Sequence, residues 1–135
     1  MNHNRVLWVL QWVFGLYFIA FGVMHFVVPE GLPQPLEWMY DLDETLHYVT
    51  GVAEILGGLG LILPGLTGVA LDLTPWAAVG LGVVMVGAMI YHSGRGEILN
   101  IVLNVVVAAI MAYIAYGRWH LSPLRADTGP ARESV

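Results

Sequence analysis

The chain has 135 residues, of which 58% are hydrophobic and only 11% charged, with a formal net charge of −5. A water-soluble domain carries about a quarter charged residues, so this composition cannot cover a water-facing surface. There is no cysteine and no lysine, which excludes disulfides, thiolate metal centres and dithiol exchange within this subunit, and leaves no basic face for nucleic acid.

Four apolar stretches fill most of the chain, roughly Val6–Val28, Leu46–Leu63, Pro75–His92 and Ile98–Gly117. Each is long enough to cross a hydrocarbon core of ~30 Å at ~1.5 Å of helix per residue. A soluble helical bundle would need polar stripes, which the second and third stretches lack almost entirely. The expected fold is therefore all-α: a four-helix transmembrane bundle over residues 1–120, followed by a solvated tail at 121–135.

In chain order, the first stretch is too long for the apolar region of a signal peptide and has no clear small-residue cleavage site, so it reads as a retained helix. Pro29 ends it, and Pro33 and Pro35 keep the following residues extended. The segment Leu36–Leu42, with Trp38 and Tyr40, has the make-up of a short interfacial helix. It lies in an acidic loop that forms a lid from Pro29 to Asp43. Asp43 or Thr45 caps the second helix, and Pro64-Gly65 is expected to stop it. Thr74 is expected to cap the third helix, with Pro75 in its first turn. Ser93–Gly96 reads as a tight connection to the fourth. Small residues one heptad apart mark close helix approaches: Gly15 with Gly22, Gly51 with Gly58, and Gly80 with Gly87 and Ala88.

Basic residues near the ends of spans favour the cytoplasm. Arg5 precedes the first helix, Arg118, Arg125 and Arg132 follow the fourth, and the acidic loop contains no base. This places both termini in the cytoplasm and the lid outside, in a multi-pass protein of the cell's inner (cytoplasmic) membrane.

Polar side chains are costly in lipid, and those that persist there mark functional sites. Within the stretches they are Gln11, His25, His47, Glu54, His92, Asn100 and Asn104. Counting along alternating helices puts all but Gln11 in the lid half. Glu54 lies seven residues from His47 on one face of the second helix, and Asn100 and Asn104 share a face of the fourth. His47 and His92 also fit an interfacial role, with their tips reaching water. Glu54 stands alone in an apolar helix and must be paired or protonated. It is expected to hydrogen-bond His25 and form the floor of a polar pocket made by His25, His47, Glu54, His92, Asn100 and Asn104. A di-iron site would need a second E-x-x-H besides Glu44–His47 and two further glutamates, so no metal is assigned.

Several of these segments resemble the DoxX and DoxX-like family of small four-helix membrane proteins. The matching pieces are Gly22–His25 (GVMH), Gly51–Leu63 (GVAEILGGLGLIL), Trp76–His92 (WAAVGLGVVMVGAMIYH) and the asparagine-bearing start of the fourth helix. The glutamate followed by a glycine pair is the most specific element. The resemblance implies two functional classes. One is a membrane subunit of a redox assembly, as in thiosulfate:quinone oxidoreductase, with quinone as ligand and no cofactor of its own. The other is a non-enzymatic assembly factor or chaperone. Candidate partners are the lipid bilayer, a membrane or redox protein and a second copy of the chain. A transporter is disfavoured, since Gln11 alone would line the inner half of a route.

Overall fold

A computed structural model describes residues 2–126; the end of the expected tail, 127–135, lies outside the described residues. Four long helices run α1 His3–Phe26, α2 Glu44–Thr67, α3 Leu73–Arg95 and α4 Ile98–Tyr116. All four are long and apolar enough to cross a membrane, and there is no strand among the described residues. The lid contains a single 3₁₀ segment, Gln34–Tyr40, and α4 continues into a wider π-helical turn, Gly117–Leu121. With four spans, the two ends of the chain share one end of the bundle and the lid occupies the other.

Local chemistry sets the helix ends. The Asn2 side chain accepts from the Asn4 N–H at the start of α1, and Asp43 accepts from Thr45 and Leu46 at the start of α2, covering backbone donors that have no helical partner. Two boundaries differ from the sequence expectation, for one shared reason. Pro64 does not stop α2, which continues to Thr67 and ends at Gly68 with φ +70°. Nor does Thr74 cap α3; it lies inside the first turn, after Asp72. Proline lacks the N–H that would bond the carbonyl four residues back, here Gly60. The Thr74 hydroxyl fills that vacancy, donating to Gly60 O at 3.1 Å. Inside a membrane such a carbonyl has no water to turn to. At the other end, α3 takes up Ser93–Arg95, so the connection to α4 is only Gly96 and Glu97.

Backbone approach between α1 and α2 follows the glycine pattern. A Cβ on Gly22 would come within 2.9 Å of Gly51 O, and one on Gly58 within 2.6 Å of Gly15 O. The third expected stripe plays no such part, because a Cβ on Gly80 or Gly87 would meet nothing within 4 Å. Each helix packs along the next in sequence, whereas α1 and α4 meet sparingly. They are tied at the terminal end, where His3 bonds Tyr113 and Gly117 faces Leu7. The dry core, including Leu7, Phe18, Leu61, Leu81, Met111 and Ile114, fills mainly the terminal half.

Thr74→Val should destabilise the bundle by about 1–2 kcal/mol, the cost of an unpaired buried carbonyl, in unfolding titrations in detergent. Pro64→Ala in the same background should recover most of the loss by restoring the N–H; additive effects would exclude the link. Gly58→Ala should cost about 1–3 kcal/mol through overpacking, whereas Gly80→Ala should be neutral or gain up to about 1 kcal/mol from helix propensity.

Candidate functional site

The lid half departs from the dry half in what it buries. His25, His47, Glu54 and His92 are all buried there. His25 sits in the last turn of α1 and His47 in the first turn of α2, flanking the Gly22–Gly51 approach. Their Nδ1 atoms are 2.8 Å apart, and His47 Nε2 lies 2.9 Å from Met39 O in the lid. Glu54, 5% exposed, brings Oε2 to 3.5 Å from His25 Nε2. The expected Glu54–His25 hydrogen bond is thus replaced by a looser contact: His25 directs its short bond to His47, and Glu54 Oε2 has no hydrogen-bond partner.

His92, on the last turns of α3, belongs to a second network. Its Nδ1 is 2.6 Å from Glu97 Oε2. Glu97 Oε1 accepts from Arg95 Nε, and Arg95 Nη2 donates to Asp41 Oδ2, both at 2.9 Å. Asp41 closes the 3₁₀ segment of the lid, so this chain of charges fastens the lid to the α3–α4 turn. Burial by itself would push the Glu97 carboxyl up, but the hydrogen bonds from His92 and Arg95 outweigh it and hold the group below its usual range. Trp38 of the lid sits among the same groups, with ring centroids 5.1 Å from His92, 6.0 Å from His25 and 6.2 Å from Tyr91.

Beneath Trp38 is a cavity of about 560 Å³, within the ~300–1,000 Å³ range of small-molecule sites. His25, Glu54, His92, Asn100 and Asn104 border it, together with Tyr17, Tyr91 and apolar side chains such as Phe21, Leu103 and Val107. His47 does not. It stands behind His25 and borders a smaller depression of about 360 Å³ with Met39, Glu44 and Tyr48. Two buried polar atoms without a hydrogen-bond partner, Glu54 Oε2 and the Tyr91 hydroxyl, belong to residues lining the larger cavity. Among the described residues no three His, Asp or Glu side chains converge closely enough to hold a metal.

Sequence reasoning passed over Tyr17, Trp38 and Tyr91. Helical spacing held the clue for the first, since Tyr17, Phe21 and His25 recur every fourth residue along one face. Arg118, which follows the fourth helix as expected, is 3% exposed and donates to Gln11 Oε1, Asn4 Oδ1 and Ser122 O. Gln11 in turn donates to Leu61 O. This polar group lies at the terminal end, away from the cavity.

The DoxX-like family model matches residues 9–114, a range that takes in nearly the whole bundle, and the chain belongs to that family. No curated protein and no solved structure matches the chain.

Because the Glu97 carboxyl is held low, its contribution to stability is present above the ordinary carboxylate range and is lost as pH falls through its depressed value. Melting temperature in detergent should therefore fall on acidification. Glu97→Gln should melt lower at neutral pH and show a shallower acid decline; an unchanged acid limb would remove Glu97 as its source.

Proposed function

For a DoxX-like membrane bundle with this cavity, we propose that the lid end binds an amphipathic ligand with a hydrogen-bonding head group, namely a quinone, and that the protein is the membrane subunit of a redox system. The observation that carries this reading is the pair of unpartnered polar atoms, Glu54 Oε2 and the Tyr91 hydroxyl, in side chains that line a largely apolar cavity of ligand size. A buried polar group without a partner costs about 1–3 kcal/mol, and a ligand offering two oxygen acceptors would recover it. The Tyr91 hydroxyl can donate to one quinone oxygen, and the Glu54 carboxyl can exchange a proton with the other. Interconversion of a quinone and its hydroquinone moves two protons, and a carboxyl beside an imidazole is suited to give or take them. An apolar tail would lie along the α1–α4 seam against Phe21, Leu103 and Val107, where the helices leave room. Electrons would pass between the ligand and a partner protein.

The same reading places the lid outside the cytoplasm. Among the described residues Arg5 and Arg125 lie near the terminal end, and the one arginine at the lid end, Arg95, is matched by Asp41 and Glu97. A second reading rests on the seam itself: the half-buried Asn100 and Asn104 of α4 border it and would suit a polar residue on a client helix, as in an assembly factor.

Quenching of tryptophan fluorescence by decylubiquinone tests the first reading directly, since Trp38 borders the cavity. Tyr91→Phe should weaken binding roughly three- to tenfold, the worth of one hydrogen bond. Failure of the wild-type protein to bind a short-chain quinone, together with co-purification of a membrane protein lost in Asn104→Leu, would favour the assembly reading instead.

A further inference from the structure

We infer that Glu54, His25 and His47 form a one-way-ordered proton relay that connects the membrane cavity to water on the lid side. The inference rests on the quinone reading for the origin of the proton, but the order of the relay follows from its own contacts.

The contacts form a line. Met39 O is an acceptor only, so the His47 Nε2 that lies 2.9 Å from it must carry the hydrogen. In the neutral ring His47 Nδ1 is then an acceptor, and the 2.8 Å contact requires the hydrogen on His25 Nδ1. That leaves His25 Nε2 bare and facing Glu54 Oε2 at 3.5 Å. With all three groups uncharged, the arrangement that satisfies every contact has Glu54 protonated and pointing its O–H at His25. A small rotation closes that gap to the ~2.7 Å of a strong O–H···N bond. One backbone carbonyl in the lid thus orders the hydrogens of both neutral rings.

The line runs between two spaces. Glu54 borders the cavity, whereas His47 borders the depression shared with Glu44 and Tyr48, whose side chains are exposed. His25 borders both. Among the described residues no other element offers a competing path at His25: the lid presents the Trp38 ring, and His92 on α3 is engaged with Glu97. Within α2, Tyr48 donates to Glu44, which leaves a carboxylate at the mouth of the depression. Tyr17 of α1 borders the cavity on the side of Glu54.

Transfer balances as follows. The Glu54 O–H bond breaks as His25 Nε2–H forms. His25 Nδ1–H breaks as His47 Nδ1–H forms. His47 then gives its Nε2 hydrogen to water in the depression. One proton has moved from Glu54 to lid-side water, and the remaining carboxylate can take another from a ligand in the cavity. Afterwards Met39 O faces a bare nitrogen, which favours the return step: His47 Nε2 takes a proton from lid-side water, His47 Nδ1–H passes to His25 Nδ1, and His25 Nε2–H passes to Glu54.

Solid-state NMR of the full ¹⁵N-histidine-labelled chain in lipid bilayers at neutral pH reads the order without any substitution. His25 should carry its hydrogen on Nδ1 and His47 on Nε2; the reverse order, or the same tautomer in both rings, overturns the relay. Infrared spectroscopy then follows replacement of hydrogen by deuterium on the Glu54 carboxyl, whose band is identified by its loss in Glu54→Gln. His47→Phe should slow that replacement by about a hundredfold, and an unchanged rate overturns the relay. Binding of decylubiquinone to the wild-type protein separates the two ideas. Correct tautomers without quinone binding leave the relay standing and remove the ligand; quinone binding with wrong tautomers does the opposite.

Discussion

The approach of α1 to α2 at paired glycines is the constraint from which the lid half takes its form. Where Gly22 meets Gly51 there is no room for a Cβ on either side, and a Cβ on Gly51 would lie 3.0 Å from that of His25. Backbones this close bring the side chain that follows on α1 directly onto α2. His25 therefore reaches both His47, one turn above Gly51, and Glu54, one turn below. Had the helices packed at the 8–10 Å usual between larger side chains, three ionisable groups on two spans would not share one line of contacts. The lipid environment makes such close approach useful in itself, because helices there associate through packing rather than through exclusion of water.

Polarity is divided along the bundle axis. Towards the terminal end the interior is filled mainly with leucine, isoleucine, methionine and phenylalanine, with Gln11 and Arg118 paired among them. Towards the lid the same helices present histidine, glutamate, asparagine and tyrosine around an open space. The lid is fastened over that space at two places, by Asp41 to Arg95 and by the Met39 carbonyl to His47. Tyr40 stiffens the loop from within, donating to Pro29 O and accepting from the Leu32 N–H. A membrane-embedded cavity under a fixed cap, with a seam between two helices at its side, is reached more readily from the bilayer than from water.

Much of this was legible in the sequence. Apolar runs of spanning length gave the four helices, and alternation of their direction placed His25, Glu54, His92, Asn100 and Asn104 in one half, where they border one cavity. What failed to show did so for identifiable reasons. Pro64 looked like a stop because its missing hydrogen bond is made good by Thr74, ten residues on and across a helix boundary. Heptad-spaced glycines revealed that small residues share a face but not which face touches a neighbour, so Gly80 and Gly87 read like Gly15 and Gly22. Glu54 and His25 were correctly judged to be close, but a third group, Met39 O, determines how His25 is engaged, and a backbone carbonyl leaves no mark in composition.

Arg118 joins the two extremities of the described chain. Its guanidinium takes acceptors from Asn4 near one terminus and Ser122 near the other, with Gln11 between. A deletion that reaches Asn4 and a truncation that stops short of Ser122 therefore disturb the same cation, each stripping it of a partner. For anyone preparing shortened versions of the protein, the amino and carboxyl ends are one design problem.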